Sequence, residues 1–150
     1  MGKDKVVIES KTALSKSKLW DAQRTYYTEQ GINAWTDEVP FYVTSNPVIA
    51  HAYAEMVFRF ILDCIDIDHE AIDMPFYIVE IGVGPGQFSY YVLKRLLALI
   101  AHDGRQIKIR YIMSDITEKN LNFWQKHAVL KPYLDEGIID FAKYDIENIL

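Results

Sequence analysis

The chain has 150 residues, half of them hydrophobic, with a formal charge of −5, which fits one domain of ordinary size around one core. The charge is uneven: residues 1–24 hold six Lys/Arg against three Asp/Glu, leaving ten against eighteen for the remainder. Such an acidic body argues against the basic groove of a nucleic-acid binder and leaves only the N-terminus for that contact. The single cysteine, Cys64, excludes a disulfide framework and a cysteine-based metal site, and fits a reducing, cytoplasmic setting.

The first residues, MGKDKVVIES, lack the apolar run of a signal peptide, and Val6 stands where a myristoylation signal needs Ser or Thr. Residues 1–14 read as a flexible arm, or as a lone edge strand over Val6 to Ile8. From Ser15, the recurrence of Leu19, Trp20, Gln23, Tyr26, Tyr27 and Gln30 predicts a helix of about four turns, with Gly31 as the left-handed residue that closes it.

The next stretch, GINAWTDEVPFYVTSNP, mixes Trp35, Phe41 and Tyr42 with Thr44, Ser45 and Asn46. That composition suits a loop covering a ligand, and equally a segment whose aromatics simply pack on the core. Asn46 and Pro47 then form a strong helix start, as cap and first helical residue, and the helix should run to about Ile65. His51, Glu55, Arg59 and Asp63 fall at intervals of four, so this apolar helix has one wet face and is not a membrane span. Glu55 and Arg59 are spaced to pair. The acid-rich DCIDIDHEAIDMP imitates a calcium loop at Asp66, Asp68 and Glu70 but lacks the glycine and the final glutamate, so it reads as a solvated linker.

Phe76 to Ile81 is a short apolar run, followed by Gly82, Gly84 and Gly86 and then by a helical pattern: strand, tight turn, helix. Glycines at Gly82 and Gly84 permit backbone angles closed to other residues and let a ligand approach the main chain, while a helix opening at Gly86 presents unpaired N–H groups to an anion. A dinucleotide fingerprint fails at Gln87, where its last glycine should stand, and a phosphate-binding P-loop has no Gly-Lys-Ser/Thr to offer. The structural alternative is a glycine turn with no ligand.

Beyond the turn, Phe88 to about His102 should be helical, burying Val92, Leu93, Leu96, Leu97 and Ile100, with Asp103-Gly104 ending it. Ile107 to Met113 reads as a strand entering a buried sheet and stops at Ser114-Asp115. Asp115 thus ends the strand after the glycine-loop helix, where dinucleotide folds place an acid that binds ribose hydroxyls. It can also serve as a turn residue before Thr117, an N-cap flanked by the Ile116 and Leu121 staple. Thr117 to Leu130 follows as a helix with Leu121, Trp124 and Ala128 inward, halted by Pro132. Ile138 to Tyr144 is a third strand, closed by Asp145.

The series Glu80, Gly82, Gly84, Gly86 in YIVEIGVGPGQ resembles motif I of the class I methyltransferases that use S-adenosylmethionine. The resemblance spans roughly Phe76 to Asp145, and the aromatics before it are loosely similar to the N-terminal lids of some bacterial members. It implies an α/β chain with an N-terminal helical segment followed by half of a doubly wound, Rossmann-like parallel sheet, β-α-β-α-β. The domains would be an arm (1–14), a helical or lid segment (15–73) and the first half of the S-adenosylmethionine domain (74–150). By resemblance, Glu80 and the glycine turn hold the methionine end, Asp115 the ribose, and Asp145 or the Ile146 backbone the adenine. The methyl acceptor stays unidentified, since family members place its residues after a fourth strand. The chain then reads as the N-terminal part of a longer protein, a truncated open reading frame or one half of a split enzyme, its open sheet covered by a second copy or a partner chain. A non-catalytic cofactor-binding or assembly module and an NAD-binding oxidoreductase are the alternatives.

Overall fold

The computed structural model describes residues 7–36, 39–40, 42 and 45–146. Its elements follow one another as α1 (Leu19–Gln30), α2 (Pro47–Ile67), β1 (Phe76–Ile81), α3 (Gln87–Asp103), β2 (Ile109–Asp115), α4 (Glu118–Lys126), α5 (Lys131–Asp135) and β3 (Ile139–Lys143). The three strands are parallel in the order β1-β2-β3, with Phe76 beside Ile109 and Tyr111 beside Ile139. N-terminal helices ahead of a β-α-β-α-β run with a Rossmann-like parallel sheet is the architecture expected from the sequence.

Local chemistry explains the boundaries. Asn46 caps α2 by accepting the Ile49 amide at 3.0 Å, with Pro47 at the first helical position. Thr117 caps α4 in the same way through the Asn120 amide, at 3.3 Å. Gly104 ends α3 in the left-handed region at φ 84°.

Several expectations need correction. The first helix begins at Leu19, not Ser15, behind a 3₁₀ turn at Leu14–Lys16. Val7 and Ile8 are exposed and belong to no strand, while Val6 lies outside the described residues, as do Phe41 and Thr44. Glu55 pairs with Arg95 of α3 and not with Arg59. A partner on a packed neighbouring helix competes directly with one on the same helix. The fourth helix stops at Lys126, and Pro132 opens α5 where it was expected to stop a longer helix. Ala128 is accordingly exposed in the connecting turn. Proline tolerates a first helical turn, where its missing N–H has no partner to lose.

The core lies between the sheet and one layer of helices. Ala50, Ala54, Ile61 and Ile65 of α2 meet Val92, Leu93 and Leu96 of α3, and these continue into Ile109, Tyr111 and Met113 of β2 and Trp124 of α4. α2 packs on α3, whereas α4 packs on β2 and β3, so α2 lies on the β1 side of the helix layer. Among the described residues, no helix is long and apolar enough to cross a membrane.

Candidate functional site

The carboxyl ends of parallel strands are where the backbone turns toward helices and leaves polar groups free for a ligand. Here the turn after β1 is built by three left-handed glycines, Gly82 at φ 71°, Gly84 at 60° and Gly86 at 80°, a conformation that strains any other residue. They face different surroundings. A Cβ on Gly82 would meet nothing within 4 Å, one on Gly84 would stand 2.8 Å from the Trp35 ring, and one on Gly86 would press on Trp124 and Met113 at 3.2 and 3.3 Å. Gly82 is therefore the open face of the turn, while Gly84 and Gly86 admit two tryptophans.

Asp115 ends β2 beside this turn and is 7% exposed. One carboxylate oxygen accepts the Gly84 amide at 3.1 Å and the other the Thr117 amide at 3.0 Å. The side chain thus ties the glycine turn to the start of α4. A carboxylate has about four lone-pair sites, so each oxygen retains acceptor capacity toward the adjoining cavity. Trp124, fully buried, donates its Nε1 to the Gly84 carbonyl at 3.2 Å. The turn is held from both sides.

Glu80 points inward. Its Oε2 accepts from Ser89 Oγ at 2.6 Å and from Tyr111 OH at 2.7 Å, bracing β1 against α3 and β2. Burial holds this carboxyl above the usual glutamate range, against the two hydrogen bonds, which pull it down. Tyr111 is pushed far up by burial and by the neighbouring Glu80 charge, so it stays a hydrogen-bond donor.

Asp145, just past β3, pairs with Arg24 of α1 at 2.5 Å. This bridge between residues 121 positions apart lays α1 over the end of the sheet. Tyr27 of the same helix stacks on Trp35 with ring centres 5.6 Å apart, and Trp35 in turn covers Gly84.

Two cavities flank Gly82. One, of about 310 Å³, is bordered by Gly82, Asp115, Ile116, Asn120, Tyr144 and Trp35, among others. The second, of about 490 Å³, is bordered by Glu80, Gly82, Pro85, Ser45, Ile49 and Tyr53 with neighbouring residues. Trp35 borders both, and also a third of about 450 Å³ between Gln87, Tyr90, Phe123 and His127. Among the described residues, the Trp35 indole N–H and the Asn120 amide oxygen are buried without a hydrogen-bond partner. Trp35 and Asn120 are among the residues that line the first cavity, while a third such atom, His127 Nδ1, belongs to a residue that lines the third.

The structure therefore brings Gly82, Gly84, Gly86 and Asp115 into one cluster, sets Glu80 beneath it and joins Asp145 to its rim through Arg24. Trp35, Asn120, Arg24, Ser89 and Trp124 complete the arrangement. The sequence singled out Trp35 and Trp124 as aromatics for a loop and a core, but their meeting at Gly84 depends on chain segments 40 or more positions apart. Comparison with protein-family models, with curated proteins and with solved structures found no match to the chain.

Proposed function

We propose that the glycine edge binds S-adenosylmethionine, and that the chain is the cofactor-binding portion of a methyltransferase whose methyl acceptor is unidentified. The observation that carries the reading is the cavity that Gly82 and Asp115 border together, with Trp35 and Asn120, whose buried indole N–H and amide oxygen lack a hydrogen-bond partner, among its lining residues. A ribose hydroxyl both donates and accepts, and buried polar groups in native proteins normally find partners. Gly82 leaves the main chain open to close approach, and the α3 N-terminus behind Gly86 favours a carboxylate, such as that of the methionine moiety. The resemblance of Glu80 through Gly86 to motif I names this cofactor over others with a ribose.

In this reading Gly82, Asp115 and Asn120 bind and orient the cofactor. Trp35 and Tyr27 exclude water from above, and Glu80 acts from below through Ser89 and Tyr111. S-adenosylmethionine carries a methyl group already activated on sulfur, so the protein's contribution is chiefly placement, which can supply large effective concentrations without a covalent catalyst.

A non-catalytic module is the second reading. It is favoured by the internal partners of Asp115 and Asp145 and by Trp35 lying over Gly84. Calorimetry with S-adenosylmethionine, S-adenosylhomocysteine and NAD tests the cofactor reading against an assembly module that binds none of them and against an NAD-binding enzyme. Binding of both sulfur compounds is expected, with no heat from NAD; binding of NAD alone, or of none, refutes the proposal.

A further inference from the structure

The glutamate that braces β1 uses only half of its carboxylate. Both hydrogen bonds to it, from Ser89 Oγ and Tyr111 OH, end on Oε2, and the side chain accepts no other. Among the described residues, the sealed side-chain atoms without a partner belong to Trp35, Asn120 and His127. Oε1 of Glu80, a half-buried residue, therefore keeps accessible surface. A carboxylate offers about four lone-pair sites, and a polar atom in such a place normally finds a donor.

Glu80 borders the cavity of about 490 Å³ where the end of β1 meets the first turns of α2 and α3, a volume inside the ordinary range of small-molecule sites, about 300–1,000 Å³. The described residues that line it include one carboxylate and no Lys, Arg or His. An occupant therefore meets negative charge that no cationic side chain of the lining neutralises. Most of the remaining lining is apolar or aromatic. Tyr53 and Phe88 meet edge to face with ring centres 5.5 Å apart, and Tyr53 is half exposed. Aromatic faces attract an organic cation through their quadrupole, more strongly where water is excluded.

We propose that this cavity binds a small organic ammonium ion carrying a hydrocarbon group, its N–H donating to Glu80 Oε1 and its apolar part lying against Tyr53 and Phe88. Burial holds the Glu80 carboxyl above its usual range, and a cation at Oε1 draws it back toward the charged form. A zwitterionic amino acid suits the cavity less, the methionine end of S-adenosylmethionine included. Its carboxylate would stand near Glu80 with no cationic side chain of the lining to receive it. The start of α3 at Gly86 and Gln87, which favours an anion, borders the third cavity instead. Gly82 and Trp35 border both the ammonium cavity and the one assigned to the ribose, so the amine and the cofactor would lie side by side. The proposal rests on Glu80 and its cavity and not on the cofactor reading, and either can fail alone.

Phenethylammonium and its uncharged analogue 2-phenylethanol, titrated at neutral pH into the isotopically labelled full chain and followed by amide resonances, test it. The ammonium should bind at least about tenfold more tightly than the alcohol, with shifts gathered at Tyr53, Ile81 and Phe88. Glu80→Gln, which keeps an acceptor for Ser89 and Tyr111, should remove that preference with unchanged circular dichroism. Tyr53→Leu keeps apolar bulk without the ring and should weaken the ammonium by about threefold or more, and the alcohol less. Equal affinity of wild type for both compounds, or no saturable binding of the ammonium, overturns the proposal. So does a preference that survives both substitutions. Repeating the titration in saturating S-adenosylhomocysteine distinguishes a separate amine from the cofactor's own ammonium. Unchanged affinity supports the separate amine, and displacement of phenethylammonium overturns it. Should S-adenosylhomocysteine not bind, the cofactor reading fails, and the comparison of ammonium with alcohol still decides this one.

Discussion

Asp115 is expected to act as a structural clamp before any ligand arrives. In Asp115→Ala the Gly84 and Thr117 amides, bonded at 3.1 and 3.0 Å to a buried carboxylate, lose their acceptor. Each buried unsatisfied donor costs about 1–3 kcal/mol, so the substitution should remove roughly 2–5 kcal/mol, a large share of the roughly 5–15 kcal/mol of a typical domain. For a chain of this length that corresponds to a fall of about 5–15 °C in melting temperature. Asp115→Asn keeps one acceptor oxygen and should lose about half as much. Urea unfolding followed by circular dichroism measures both. A loss below about 0.5 kcal/mol for alanine, the range of ordinary surface substitutions, or asparagine no better than alanine, would refute the clamp.

Other consequences follow from the same cluster. Because the Glu80 pKa is raised in the folded state, the folded chain holds its proton at pH values where the unfolded chain has released it, so stability from this group falls as pH rises above the unfolded value near 4.5. Glu80→Gln keeps an acceptor for Ser89 and Tyr111 without the charge. Its melting temperature should gain on wild type as pH rises above about 4.5, and a pH-independent difference would contradict the assignment. Trp124→Phe removes the bond to the Gly84 carbonyl and should cost about 1–2 kcal/mol in urea unfolding. Arg24→Ala breaks a partly exposed ion pair with Asp145 and should cost no more than about 1 kcal/mol, with the effect shrinking in high salt. Gly84→Val should abolish S-adenosylhomocysteine binding, because its side chain would strike Trp35 and displace the cover of the turn. Retained affinity would show that Trp35 has no part in the site.

The sheet was legible because its signals are local. β1 and β2 announce themselves as apolar runs ended by glycine or aspartate, and the helices between them by period and caps such as Asn46 and Thr117. Glycine spacing likewise gave away the turn. What the sequence withheld are pairings set by distant segments: Arg24 with Asp145, Trp35 over Gly84, Glu55 with Arg95. Glu80 is instructive. It sits in the motif, yet strand alternation turns its side chain to the helix side with Phe76 and Ile78, where Ser89 and Tyr111 await it. The break after Lys126 was missed because Ala128 and Leu130 continue a plausible helical pattern across it, and only the Pro132 first turn shows where the chain restarts.

The central claim is that a cofactor with a ribose binds at the Gly82 and Asp115 edge. Amide resonances of the isotopically labelled chain, followed as S-adenosylhomocysteine is added, test both the binding and its place. Saturable shifts should concentrate at Gly82, Gly84, Asp115, Ile116 and Asn120. No shifts, or shifts gathered around Phe123 and His127 instead, would contradict the account.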